Sequence, residues 1–305
     1  MTSPGAVAIT GASGLVGAAL AGSLSADGVR VVRLVRREPG PGADEVRWSP
    51  SEGFVDAEAL EGVDAVVHLA GESLASGRWT EARKALIRDS RVEGTRTLVD
   101  AITRMRRKPR VLVSASAIGY YGAHRGETLL TEGSPPGDDF LARVCVTWEA
   151  AAAPAREAGV RTVLLRTGLV LSAKGGALAK MRTPFKLGAG GVIGPGDQWV
   201  SWIALGDLVR IIRFALDREG LAGPINAVAP TPVTNQAFTK ALGRALGRPT
   251  LIPLPRAAVK LALGELGEQT LLASQRVLPE RLLRAGFRFE HESVIQALRA
   301  ELGGD

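Results

Sequence analysis

The stretch that most narrows the choice of fold is Thr10-Gly11-Ala12-Ser13-Gly14-Leu15-Val16-Gly17, which follows the apolar run Val7-Ala8-Ile9 and leads into a helical pattern from Gly14 to Ala26. Each glycine has a separate use in such a loop. Gly11 permits a tight turn, Gly14 lets the backbone approach a pyrophosphate with no Cβ in the way, and Gly17 lets the helix pack closely on the strand. The helix N-terminus then turns its unpaired N–H groups and the positive end of its dipole toward phosphates. Because strand, loop, helix and second strand stand in this order, Gly11, Ser13, Gly14, Leu15, Val16 and Gly17 are the candidate dinucleotide contacts. The plain alternative is a loop that only turns tightly.

The second strand candidate, Val29 to Val35, is entered through the turn Asp27-Gly28 and ends at Arg36-Arg37, with no carboxylate before Glu38. A free ribose 2′-hydroxyl is usually met there by Asp or Glu. Arginine suits a 2′-phosphate instead, because its planar fork donates paired, charge-assisted hydrogen bonds. Val35 and Arg36 are therefore expected at the adenosine ribose, with NADP preferred over NAD. The other reading makes Arg36 and Arg37 surface charges on a loop.

Further strand candidates at Val63 to Leu69, Arg110 to Ser114 and Arg161 to Leu165 alternate with helix candidates at Thr80 to about Arg107 and Asp139 to Ala158. This is the pattern of a parallel sheet covered on both faces. Beyond Gly168, residues 174–197 hold seven glycines and two prolines and read as a loop-rich segment over a cleft. Helix candidates then resume at Asp207 to Leu216, Thr234 to Leu246, Pro255 to Leu266, Leu278 to Arg284 and His291 to Leu302. The fold expected is α/β: a Rossmann doubly wound parallel sheet over residues 1–170, and a smaller, mostly helical C-terminal lobe over 171–305. Strands and helices near 200–216 are expected to return to the first lobe. The chain length of 305 residues fits two such lobes.

Composition removes several classes of function. No run approaches the 18 consecutive apolar residues of a membrane span, and no basic segment followed by a long apolar one opens the chain. One cysteine, Cys145, forbids an internal disulfide, and His68, His124 and His291 have no zinc spacing, so no metal is expected. The charge of +7 is spread along the chain, and the densest basic run, Arg104 to Lys108, sits where a helix should end and complements its dipole. The expected partner is a small-molecule substrate, with no nucleic acid and no membrane. The expected location is the cytoplasm, and the residues leave the oligomeric state open.

The TGxxGxxG spacing, Asp64-Ala65-Val66-Val67-His68-Leu69-Ala70-Gly71, Gly94-Thr95 and the serine-bearing strand end SASAIGYYG (114–122) resemble the extended short-chain dehydrogenase/reductases. AGESLASGRWTEARKALIRDSRVEGTR, RTGLVLSAKGGAL, QWVSWIALGDL and SQRVLPERLLRAGFRF resemble one atypical branch, the NAD(P)-dependent nucleoside-diphosphate-sugar epimerase family with a C-terminal domain of unknown function. That likeness covers nearly the whole chain. It implies that Leu69, Ala70 and Gly71 lie against the cofactor, that Arg91 stands where relatives carry Asn and reaches it, and that Val170 lies near the nicotinamide. It makes His68 a packed strand-end residue rather than a base.

The same resemblance exposes a gap. Aligning VLVSAS puts Ser116 in the place of the family's catalytic Ser, and the YxxxK pair then falls on Leu141 and Cys145, with Glu149 following as in relatives. A phenol titrates near pH ~10, and the lysine cation favours its ionised form. Leu141 and Cys145 can do neither job. The remaining candidates for proton transfer are Tyr120 and Tyr121, the only tyrosines in the chain, with Glu72 as a carboxylate partner. On the substrate side, Glu72, Trp79, Lys186 and Trp199 suit a planar or phosphorylated ligand, while Trp202 reads equally as ligand-facing or core. The expected function is hydride transfer on a small carbonyl or sugar-like substrate by an NADP-binding oxidoreductase or epimerase-like protein. The alternative is a non-catalytic NADP(H)-binding sensor or interaction protein.

Overall fold

The computed structural model of the chain describes residues 4–303. Its first part runs β1 (Ala6–Thr10), α1 (Leu15–Ala26), β2 (Arg30–Val35), β3 (Glu45–Ser49), β4 (Phe54–Val55), β5 (Ala65–His68), α2 (Glu81–Arg104), β6 (Val111–Ala117), β7 (His124–Leu130), α3 (Phe140–Ala151), α4 (Ala153–Glu157) and β8 (Arg161–Thr167). There follow β9 (Leu169–Leu171), α5 (Gly176–Lys186), β10 (Trp199–Val200), β11 (Trp202–Ala204), α6 (Leu205–Asp217), β12 (Gly223–Ala227), β13 (Val233–Thr234) and α7 (Asn235–Leu246). The chain closes with α8 (Arg256–Leu263), α9 (Glu265–Gln269), β14 (Ser274–Val277), α10 (Glu280–Arg284) and α11 (Val294–Leu302).

Eight strands form one sheet in the order β12-β8-β6-β5-β1-β2-β3-β4, parallel throughout except for the β3–β4 pair. Alternation along each strand divides its apolar side chains between two faces. Val7, Ile9, Val67 and Val113 join α1 and α6 in one core, while Ala8, Val66 and Leu112 join α2 and Trp48 in another. From β1 the chain winds outward through β2 and β3, then returns to β5 and winds the other way. The carboxyl ends of β1 and β5 are therefore the switch point, where ligands bind in doubly wound sheets.

Caps set two boundaries that matter for the site. Thr80 starts α2 by accepting the Arg83 N–H at 3.2 Å, and Asp139 starts α3 by accepting the Ala142 N–H at 2.9 Å. The second oxygen of Asp139 takes the Ala123 N–H, tying α3 to the turn after Tyr121. Fully buried Asp207 accepts the N–H groups of Glu290 and His291 at 2.9 Å each and pairs with Arg210. That staple holds Phe287 and Phe289 against the first core.

Two expectations need correction. The segment 174–197 is not loop throughout, because α5 starts on Gly176, runs through the glycine-free residues to Lys186 and buries Leu178 and Phe185 in a third core with Trp202, Phe238 and Leu298. The glycines and Pro195 lie outside those glycine-free residues, so their number over the whole segment hid its helical spacing. The sheet also has strands that the apolar runs did not reveal: β3, β4 and β12. Pro224 argues against a central strand, and β12 is an edge, where a missing N–H is tolerated. The C-terminal part is helical as expected, with short strand pairs β9–β11, β10–β13 and β7–β14 beside the helices.

Candidate active site

The glycine loop is built by close approach. Gly11 has φ +68°, and a Cβ there would stand 3.0 Å from both the Ala70 nitrogen and the Leu69 carbonyl carbon. A Cβ on Gly17 would stand 2.9 Å from the Ala12 Cα and well inside contact with the Gly11 carbonyl oxygen. Gly17 is therefore required because α1 packs back on its own loop, a tighter constraint than the expected packing on the strand. Ser13 and Gly14 are exposed at the tip, leaving their backbone open to a ligand.

Thr10, at the end of β1, fixes the neighbouring loop. Its hydroxyl accepts the Leu69 and Ala70 N–H groups at 3.1 and 3.2 Å, so its single hydrogen goes to His68 Nδ1 at 2.7 Å. The His68 proton then sits on Nε2, which has no hydrogen-bond partner among the described residues. Burial lowers its pKa to about 4, so His68 is neutral and packed, edge-on to Trp48. Next along the chain, a Cβ on Gly71 would lie 3.4 Å from Arg91 Cζ. Arg91 donates to the Ile87 and Glu72 carbonyls at 2.9 Å and faces the Trp148 ring, and burial lowers its pKa. Leu15, Val16, Leu69 and Val170 all pack against the first core. The expected nucleotide contacts thus converge on one end of the sheet.

The two arginines after β2 differ. Arg37 makes a two-pronged pair with Glu45, at 2.9 and 2.6 Å, and its hydrogen bond is the chief reason the Glu45 carboxyl lies below its usual range. Arg36 is exposed, next to half-buried Val35, and no hydrogen bond or ion pair engages it among the described residues. One guanidinium is committed to the loop, and the other is available.

At the end of β6 the chemistry lies in a connected polar network. Ser116 donates to Glu149 Oε1 at 2.6 Å, and Glu149 is gripped from the other side by Arg166, Nε to Oε1 and Nη2 to Oε2, both at 2.8 Å. Arg166 is 3% exposed. Burial opposes its charge, but the Glu149 hydrogen bonds and charge outweigh this and raise its pKa. Arg166 also donates to the Tyr121 hydroxyl at 3.1 Å, and Tyr121 donates to Asn226 Oδ1 at 2.7 Å. Asn226 and Arg281 give their backbone N–H groups to buried Glu132. From β14, the Gln275 amide donates to the Ile118 and Gly122 carbonyls, holding both ends of the turn that carries the tyrosines.

This network separates the two tyrosines. Tyr121 is fully buried with both hydroxyl roles used, and burial raises its pKa. Tyr120 is half-buried, with its ring face 3.4 Å from Arg166 Cζ and no hydrogen bond on its hydroxyl among the described residues. At the dyad positions, Leu141 and Cys145 pack under Gly119, where a Cβ would meet Leu141 Cβ at 3.4 Å and Cys145 Sγ at 3.7 Å. The thiol is pushed up to about 12, mainly by burial and then by Glu149, so it is inert at neutral pH.

The residues expected around the substrate take several roles. Glu72 pairs with Arg83 at 2.9 Å, and the carboxylate actually joined to Ser116 is Glu149. Trp79 donates to the Leu74 carbonyl and meets Phe140 edge-on, bracing its own loop. Lys186 is exposed at the end of α5. Trp199 lies under Arg276, 4.2 Å from Cζ to the ring centre, with its indole nitrogen buried and unpartnered. Trp202 is core, with no exposed surface. Sequence reasoning did not single out Arg166, Asn226 or Glu132, and used Glu149 only to fix the alignment. A charged residue inside the apolar strand VLLRT was the one available signal.

A glycine cradle at the switch point, beside an arginine after β2 that no described residue engages, defines a Rossmann nucleotide-binding fold with a buried polar network at the end of β6. Comparison with known proteins agrees. The profile of the NAD dependent epimerase/dehydratase family matches residues 7–228, and a domain of unknown function, DUF1731, matches residues 254–301. An epimerase family protein of Mycobacterium bovis is 46% identical over 292 residues, covering 96% of each chain. The crystal structure of the human epimerase family protein SDR39U1 with NADPH superposes with a TM-score of 0.90 at 35% identity, covering 98% of this chain and 99% of that one. A structure described as the nucleoside-diphosphate sugar epimerase of Corynebacterium glutamicum has a TM-score of 0.82 at 41% identity, covering 99% of this chain and 59% of that one. This chain belongs to the NAD dependent epimerase/dehydratase family. No helix among the described residues is long and apolar enough to cross a membrane.

Proposed function

We propose that this protein is an NADP(H)-dependent oxidoreductase or epimerase-like enzyme of the cytoplasm, acting on a small carbonyl or sugar-like substrate. The observation that carries the reading is the glycine cradle, into which no Cβ fits at Gly11 or Gly17, with Arg36 unengaged beside it. The NADPH in the human relative supports it. Gly11 to Gly17 would hold the pyrophosphate, Arg36 the 2′-phosphate, Leu69 to Gly71 the adenosine side, and Val170 the nicotinamide side. The cofactor bound there supplies or accepts a hydride.

The chain's own residues supply orientation and the proton. Tyr120 Oη is the phenol left without a hydrogen bond, and it holds or moves the proton at the substrate oxygen. Arg166, 3.4 Å from Cζ to the Tyr120 ring centre, is the cation beside that phenol, while Cys145 stands at the family's lysine position. Ser116 takes the second hydrogen bond to the substrate. Tyr121, with both partners inside the protein, braces the turn.

A second reading has its own support: Ser116, Glu149, Arg166 and Tyr121 satisfy one another with no ligand, which suits a non-catalytic NADP(H)-binding protein. Two readouts separate them: the change in reduced-nicotinamide absorbance with NADPH and carbonyl compounds or with NADP+ and hydroxyl compounds, and the interconversion of nucleotide-sugar epimers followed by NMR, since an epimerase regenerates its cofactor and shows no net absorbance change. The enzyme reading expects turnover of at least one compound, lowered by about 100-fold in Tyr120→Phe, the loss typical of a general acid. If none is consumed, the sensor reading stands.

A further inference from the structure

Resting on the substrate-binding role proposed for Ser116, we propose that the Glu149–Arg166 pair holds the Ser116 hydroxyl as a hydrogen-bond acceptor only, so that the ligand group meeting Ser116 is itself a donor, a hydroxyl rather than a bare carbonyl. A serine hydroxyl has one hydrogen and two lone pairs. At Ser116 that hydrogen is already placed, on a 2.6 Å bond to Glu149 Oε1. A carboxylate offers no hydrogen in return, and both Glu149 oxygens accept from Arg166. The pair is nearly closed to water, with side chains 3% and 10% exposed. Turning the Ser116 hydrogen toward a substrate carbonyl breaks a short, charge-assisted bond in a buried setting, where such bonds are strongest.

The preference follows from what remains on Oγ. Its free lone pairs accept, so an alcohol gains a hydrogen bond there and a ketone meets oxygen against oxygen. Glu149 and Arg166 are positioning residues in this scheme, because they act through Ser116. The site therefore binds its ligand as the hydroxyl compound in preference to the carbonyl compound, the ligand's O–H donating to Ser116 Oγ while its oxygen accepts from the Tyr120 hydroxyl.

Two measurements test the proposal. Neutron diffraction from crystals of the unmodified, deuterium-exchanged full chain locates the Ser116 hydrogen directly. It is expected on the line to Glu149 Oε1, and nuclear density elsewhere overturns the proposal. In Glu149→Leu, which removes the acceptor, the hydrogen is expected to leave that line and the alcohol preference in solution to be lost, which a purely structural role would not require. In solution, dissociation constants of matched pairs are read by saturation-transfer NMR on the protein loaded with NADP+, using cyclohexanol with cyclohexanone and glycerol with dihydroxyacetone. The alcohol is expected to bind about fivefold tighter, the worth of one net hydrogen bond. In Ser116→Ala the ratio is expected to fall to about one. A ratio favouring the ketone, or no binding by either alcohol, overturns the proposal. Failure to bind NADP+ sinks the proposed function instead, and leaves the neutron result on the free protein standing.

Discussion

The glycine-loop end and the polar-network end of this candidate site are assembled by opposite means. At Gly11 and Gly17 the work is done by missing side chains, and the geometry depends on backbone packed too closely for a Cβ. At Ser116, Tyr121, Glu149 and Arg166 it is done by side chains that meet across β6, β8, α3 and the turn after β6. The first is written as closely spaced glycines, although Gly11 meets the backbone of Leu69 and Ala70 across the sheet, and it is sensitive to an added methyl. The second is long-range, and it is sensitive to removal of one partner.

Perturbations at the two ends should therefore cost different amounts. The largest effect is expected from Arg166→Ala, which strands the Glu149 carboxylate in a nearly closed setting. Removing one partner of a buried ion pair costs about 3–5 kcal/mol. Urea unfolding measures it, and a loss below about 1 kcal/mol would mean that the network behaves like a surface pair.

Next is the seam between the ends, at His68. Its folded pKa of about 4 lies below the unfolded value of about 6.5, so between these values the unfolded chain binds the proton that the folded chain refuses. Stability should therefore fall as pH drops through that window, by up to about 3 kcal/mol. The pH slope should flatten in His68→Asn, and an unchanged slope assigns the proton elsewhere.

Gly17→Ala should cost about 1–3 kcal/mol by overpacking and also weaken NADPH binding, since the loop must shift to admit the methyl. Full stability with unchanged binding would show that the loop adapts freely. Smallest in energy, but clearest in sign, is Cys145. The chain's one thiol should fail to react with a disulfide reagent at pH ~8 while folded and react fully once unfolded, as its raised pKa and burial require.

The same division explains what could be read from the sequence. The glycine spacing, the apolar runs of the central strands and the helix starts at Thr80 and Asp139 are patterns written within a few residues, so they stood out. Arg166 and Glu149 are 17 residues apart, and Tyr121 and Asn226 are 105 apart. No local pattern announces such pairs. The roles of Arg36 and Arg37 diverge for a similar reason, because Glu45, on the neighbouring strand, claims one of them. Helix α5 was hidden by glycines at its borders, and β12 by a proline that only an edge strand tolerates.

The account depends most on NADP(H) binding at the loop, with Arg36 taking the 2′-phosphate. Titration of the purified protein with NADPH and NADH, followed by the fluorescence of the reduced nicotinamide, tests this most directly. The account predicts tighter binding of NADPH, by about tenfold or more for a charge-assisted phosphate contact, and loss of that preference in Arg36→Ala. Equal affinity for the two dinucleotides, or a preference that survives Arg36→Ala, would contradict it.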